Sequence, residues 1–159
     1  MNKYSLYVVD DENVARQGLA LALKKNYRIM DFDAAEPAID ALERHVPDII
    51  LLDIGLPKMS GIEALEVIKK RHPGILVIMI TAYEDVSTVV SAMKLGAYDY
   101  VVKPIQMEAL KVVLHHAIDS IRMKREIQNL HETFLKENVP CFVGESNAIQ
   151  DVMDVVDKV

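Results

Sequence analysis

Short apolar runs rich in β-branched and aromatic residues recur along the chain at Tyr4–Val9, Tyr27–Phe32, Ile49–Leu52, Ile75–Ile80 and Tyr100–Val102. Runs of this length predict strands. Between them lie segments of helical period, Val14–Lys25, Ala35–His45, Ile62–His72 and Val86–Leu95. The first of these is expected to bury Val14, Leu21 and Ala22 beside the small Gly18. With a fifth helical pattern starting near Gln106, strand and helix alternate five times, which predicts a five-stranded, doubly wound parallel sheet with helices on both faces, a flavodoxin-like α/β fold. The third and fourth runs are almost continuously apolar, as central strands covered on both sides must be. At the boundaries, Asp33 with Glu36 three residues on predicts a capping box. Asp85 is placed to cap the fourth helix, and Gly96 to close it in the left-handed conformation.

The fifth helical pattern runs on past the point where a compact domain would end. Leu110, Leu114, Ala117 and Ile121 form one apolar stripe. Met123, Ile127, Leu130 and Phe134 continue it as a shifted seam at spacings of four and three, the pattern of a short coiled coil. Asn138-Val139-Pro140 ends the helix. A short extended piece, Cys141 to Gly144, follows, then Ser146 as an N-cap and a helix with Ile149, Val152, Val156 and Val159 on one face. The sequence stops inside that helix, so it is expected to be a piece of a longer protein. The expected organisation is a domain at 1–121, a helical linker at 122–140 and the start of a further domain at 141–159.

Composition narrows the functions. With 159 residues, 51% of them hydrophobic, the chain can bury one full core plus an appendage. A net charge of −6 repels phosphate backbones, so DNA contact is expected only through a segment outside this sequence. The lone Cys141 excludes an internal disulfide and a multi-cysteine metal site. Neither a signal-peptide core nor a run of membrane-spanning length is present, which predicts a soluble, cytoplasmic protein without a membrane partner. The five histidines lie on or beside predicted helices, and the adjacent His115 and His116 point different ways, so no histidine metal site is expected.

In a doubly wound sheet, function sits beyond the carboxyl ends of the strands, where the topology changes direction. The first strand ends in Asp10-Asp11, the third in Asp53, the fourth in Thr81 and the fifth in Lys103-Pro104. Each is commonplace alone: a helix cap, a loop acid, a strand-end hydroxyl, a solvated lysine. Their joint placement at four strand ends is not. Two carboxylates about 4 Å apart repel by roughly 4 kcal/mol at an effective dielectric of 20, so three call for a cation. Oxygen-only donors favour a hard ion, and at a phosphate-handling site Mg²⁺ over Ca²⁺. With Lys103 as a point charge for a phosphoryl oxygen, these are the parts of phosphoryl transfer to a carboxylate.

At these residues the sequence resembles the response-regulator receiver family of two-component systems, over about Lys3 to Ile121. The resemblance implies that Asp53 is the phosphoacceptor, charged by a sensor histidine kinase. It makes Asp11 a direct Mg²⁺ ligand, with Asp10 acting through water, and has the Gly55 backbone carbonyl complete the site. Ile54 to Gly61 matches the family's loop after the acceptor. Thr81 followed by Ala82 matches the switch hydroxyl, Lys103-Pro104 the lysine before a cis proline, and Tyr100 the aromatic switch position. Gly55 and Tyr83 bear on the lifetime of the phosphorylated state.

The segment from Phe142 to Gln150, after an extended helix, resembles the NtrC family of sigma-54-dependent activators at the start of their AAA+ ATPase domain. That resemblance implies an output in which phosphorylation switches an ATPase acting on RNA polymerase with sigma-54. The apolar seam of Met123, Ile127, Leu130 and Phe134, with no core to pack on, predicts a homodimer formed through the linker helix and a receiver surface. No G-x-x-x-x-G-K-[ST] loop occurs, so this stretch is expected not to hydrolyse ATP. Alternatives are a receiver serving a different effector or acting alone, a flavin-binding protein, and an aspartyl-phosphate hydrolase. Asp10-Asp11-Glu12 would repel a flavin phosphate, and a hydrolase would place its nucleophile after the first strand.

Overall fold

The computed structural model describes residues 3–82 and 86–138. The chain divides into two compact units, Met1–Ile118 and Asp119–Val159. The first unit holds β1 (Tyr4–Val9), α1 (Asn13–Leu23), β2 (Tyr27–Phe32), α2 (Ala35–Ala41), β3 (Ile49–Asp53), α3 (Gly61–Arg71), β4 (Leu76–Thr81), α4 (Val86–Lys94) and β5 (Asp99–Val102). Helix α5 (Met107–Asn138) begins in this unit and ends in the second.

The strands form one parallel sheet in the order β2-β1-β3-β4-β5. The chain starts at β1, steps out to β2, then crosses to β3 on the other side of β1, so the switch point lies between β1 and β3. The predicted flavodoxin-like fold is borne out. Register aligns the carboxyl ends: Val9 faces Leu52, Asp53 faces Ile80, and Thr81 faces Val102. Alternation sends Tyr7, Val9, Ile50, Leu52, Val77 and Met79 to one face, where they pack with Ala38 and Ile39 of α2 and Leu65 and Ile68 of α3. Leu19 and Leu23 of α1, with Leu110, Leu114 and Ala117 of α5, supply further buried apolar groups. Every residue of β3 and β4 is buried, as their unbroken apolar runs predict.

Three local expectations are corrected or refined. On α1, Val14 and Leu21 are 86% and 66% exposed, and the buried positions are Leu19 and Leu23. The helix carries two apolar faces, and the one four residues apart turns inward. The Asp33–Glu36 capping box does not form: Ala34 is the N-cap of α2 and makes no side-chain bond. Glu36 instead accepts the Met59 N–H at 3.2 Å, so its carboxylate ties α2 to the loop after β3. Helix α2 is also shorter than predicted, ending at Ala41 and continuing through tighter turns at Leu42 and Glu43. Gly96 does adopt the expected left-handed conformation, with φ +105°. Helix α3 is capped by Ser60, whose side chain accepts the Glu63 N–H. The proposed cap Asp85, Tyr83 and everything predicted beyond Asn138 lie outside the described residues.

In the second unit, Met123, Ile127 and Leu130 are 64%, 61% and 65% exposed. Arg122 pairs with Asp119 one turn back, at 3.9 Å. Among the described residues no helix is long and apolar enough to cross a membrane.

Candidate functional site

Parallel register delivers one residue from each of four strand ends to a single edge. Asp10 follows β1 directly and is fully buried. Its N–H donates to the Phe32 carbonyl at 3.1 Å, and its Oδ1 accepts the Glu12 N–H at 2.9 Å. Asp53, the last residue of β3, is 4% exposed, and its Oδ1 accepts the Gly55 N–H at 3.2 Å. Thr81 ends β4, is buried, and accepts the Lys103 N–H on its carbonyl at 2.7 Å. That bond holds the segment after β5 close enough for the Lys103 side chain to reach across. Its Nζ stands 3.2 Å from Asp10 Oδ2, 3.3 Å from Asp53 Oδ2 and 4.0 Å from Glu12 Oε2. The Lys103-Pro104 peptide is cis.

Asp10, exposed Asp11 and Asp53 each bring a carboxylate oxygen within 4.8 Å of the others. Burial pushes the Asp53 carboxyl above its ordinary range; the Gly55 N–H opposes this, the Asp10 charge adds to it, and the Lys103 charge and hydrogen bond offset it in part. For Lys103, burial favours the neutral amine. The Asp53 and Asp10 carboxylates outweigh burial and hold the ammonium above its usual value. One ammonium among three carboxylates leaves the cluster net negative. Asp10 Oδ2 is buried and is met by the Lys103 ammonium at 3.2 Å. Three carboxylates within 4.8 Å of one another, sharing one ammonium, are a donor set that a hard divalent cation fits.

The predicted residues thus divide. Asp10, Asp11, Asp53 and Lys103 meet, and Thr81 sits at the same edge. Gly55 supplies its N–H to Asp53. Tyr100 lies on the edge strand β5 and is 41% exposed. Two supports escape sequence reasoning. Gly61 opens α3 where a Cβ would run into the Asp53 carbonyl oxygen and come within 2.6 Å of the Ile54 Cα, so the loop after the acceptor closes against bare backbone. Lys58 holds φ +62° in that loop, an uncommon conformation for a side chain other than glycine. A glycine at the first turn of a helix, where no positive φ is needed, was the available signal for the first. Nothing in the sequence marks the second.

Residues 6–115 match the response regulator receiver domain family, and the chain belongs to that family. Along nearly its whole length it is similar to the DNA-binding transcriptional regulator NtrC of Proteus hauseri, 31% identical over 98% of this chain and 33% of the relative. It is 35% identical to the luminescence regulatory protein LuxO of Vibrio campbellii, over 76% of this chain and 26% of that protein. Among solved structures, NtrX from Brucella abortus superposes with a TM-score of 0.75 at 32% identity, covering 81% of this chain and 30% of that one. The BeF3-activated DrrB receiver domain gives 0.69 at 27% identity, covering 74% and 99%. The resemblance to the NtrC family of response regulators is borne out, and the chain spans about a third or less of the length of these curated relatives.

Proposed function

We propose that Asp53 accepts a phosphoryl group from a sensor histidine kinase, with Mg²⁺ held by Asp10, Asp11, Asp53 and the Gly55 carbonyl. The observation that carries this is the convergence of the Asp10, Asp11 and Asp53 carboxylates, two of them buried, on a single nearby ammonium. An oxygen of the Asp53 carboxylate forms the new P–O bond as the donor's P–N bond breaks, and the kinase histidine leaves with that electron pair. Bound Mg²⁺ supplies charge neutralisation on the phosphoryl oxygens. Lys103 places its ammonium beside the acceptor as a point charge for a phosphoryl oxygen. Thr81, at the end of the neighbouring strand, follows the new group with its hydroxyl, and Tyr100 on β5 responds.

Incubation with Mg²⁺ and a small phosphodonor tests this by intact mass. One phosphoryl group is expected on the parent and none on Asp53→Asn or after chelation. Equal modification with chelator present would refute the metal's role.

For the whole protein, we assign 1–121 as the receiver, 122–140 as a helical linker and 141–159 as the start of an AAA+ domain. The chain then acts in the cytoplasm, switching a sigma-54-dependent ATPase that works on RNA polymerase, with DNA contacted by a segment outside this sequence. Similarity to NtrC over 157 residues supports this output over a receiver serving another effector. The exposed stripe of Met123, Ile127, Leu130 and Phe134 supports a homodimer through the linker, with a receiver surface contributing.

A further inference from the structure

We infer that Arg16 and Asp31 form a clamp that positions Asp10 for its cation, an inference that rests on the cation site proposed above. Arg16 lies in the first half of α1, and its side chain is only 12% exposed. Its guanidinium reaches three acceptors at once. Nη1 donates to the main-chain carbonyl of Asp10 at 2.8 Å, Nε to Asp31 Oδ2 at 2.9 Å, and Nη2 to Asn13 Oδ1 at 2.9 Å. Asp31 comes from the edge strand β2, where parallel register sets it opposite Val8, and Gln17 donates to the same Oδ2 at 3.2 Å.

An exposed ion pair contributes little to stability. This one differs because its fork ends on the backbone of a candidate metal ligand. With the Asp10 carbonyl held by Arg16, its N–H by Phe32 and its Oδ1 by Glu12, Asp10 has one oxygen left, Oδ2, which faces Asp53 and Lys103. The turn from Asp10 to Asn13 is therefore set before any cation arrives. Without the clamp, binding would have to order that turn, which lowers affinity.

Charge and geometry make opposite predictions for Arg16. A cation near three carboxylates is repelled by a nearby guanidinium, so if only the field mattered, deleting Arg16 would tighten binding. The clamp requires that deletion weaken it. Asp31 fits both roles: it orients the fork and cancels the guanidinium charge one residue from the site, so Asp31→Asn weakens binding too. Arg16→Lys keeps the charge but loses the planar fork; the field alone predicts no change, the clamp a loss.

The test is calorimetric titration of Mg²⁺ into metal-free parent, Arg16→Gln, Arg16→Lys, Asp31→Asn and Gln17→Ala, each checked by far-UV circular dichroism. Supporting partners of metal ligands typically contribute about 10–100-fold in affinity. Since this one acts through the backbone, a loss of about tenfold is expected for Arg16→Gln and a smaller loss for Arg16→Lys and Asp31→Asn. Gln17→Ala, which touches Asp31 without reaching Asp10, should bind as the parent does. Folded Arg16→Gln with parental or tighter affinity would overturn the clamp. Should that variant not fold, Arg16→Lys decides by the same criterion, because it alone of the others keeps the charge and loses the fork. A folded parent that does not bind Mg²⁺ would refute the cation site itself, whereas a parent that binds beside insensitive variants would refute the clamp alone.

Discussion

Replacing Gly61 by alanine separates what helix propensity predicts from what the packing around Asp53 predicts. Glycine in a helix interior is less favourable than alanine by roughly 0.8–1.0 kcal/mol, so propensity alone makes Gly61→Ala neutral or stabilising. The added methyl group, however, would meet the Asp53 carbonyl oxygen, the Ile54 Cα at 2.6 Å and the Asp53 carbonyl carbon at 2.9 Å, all main-chain atoms that cannot swing aside. Forcing a methyl into such a space costs about 1–3 kcal/mol. It also strains the bond from the Gly61 N–H to the Ile54 carbonyl, now 2.9 Å, worth about 0.5–1.5 kcal/mol. After the propensity gain is subtracted, a net loss of about 0.5–3.7 kcal/mol is expected. Gly18→Ala is the internal control, because a Cβ there meets nothing within 4 Å. It should gain about 0.4–1 kcal/mol. Urea unfolding followed by far-UV circular dichroism at constant m-value measures both. A Gly61→Ala variant as stable as the parent, or more so, would refute the packing account of the acceptor loop.

Other expectations follow from the same contacts. Burial raises the Asp53 pKa above 3.8, so the folded state binds its proton more tightly than the unfolded one, and stability is lost as pH rises through the folded value. Metal-free Asp53→Asn should therefore melt higher than the parent at neutral pH, with an advantage that fades on acidification toward the ordinary carboxylate range; a lower melting temperature at neutral pH would contradict this. Tyr7, fully buried, donates its hydroxyl to the His45 carbonyl at 2.6 Å, so Tyr7→Phe should cost about 1 kcal/mol in the same urea assay. Burial also raises the Tyr7 and Tyr27 hydroxyls above 10.0, and spectrophotometric titration should find two tyrosines ionising late. If the exposed stripe on α5 pairs two chains, Leu130→Glu should be monomeric by light scattering at concentrations where the parent is dimeric; a parent monomeric at tens of micromolar with and without phosphodonor rules the dimer out.

Strands were legible because burial on both faces writes itself as unbroken apolar runs, as in Ile49 to Leu52 and Leu76 to Ile80. The site residues were legible for a related reason: a parallel sheet brings its carboxyl ends to one edge, so Asp10, Asp53 and Lys103 had to converge. What escaped depends on choices between equivalent local options. Helix α1 offers two apolar faces, and only tertiary packing selects Leu19 and Leu23 over Val14 and Leu21. Glu36 can cap its own helix or bind the Met59 N–H, and the loop after β3 takes it. The Arg16–Asp31 pair depends on the register of β2 against β1, which no local pattern encodes.

Chemical trapping of the modified side chain tests the central claim most directly. Sodium borohydride reduces an aspartyl phosphate to homoserine and leaves free carboxylates unchanged. Protein treated with Mg²⁺ and a small phosphodonor, reduced, digested and mapped by mass spectrometry should carry homoserine at position 53 and aspartate at positions 10 and 11. Homoserine at either of those positions, or phosphorylated protein with position 53 still aspartate, would contradict the assignment of Asp53 as the acceptor.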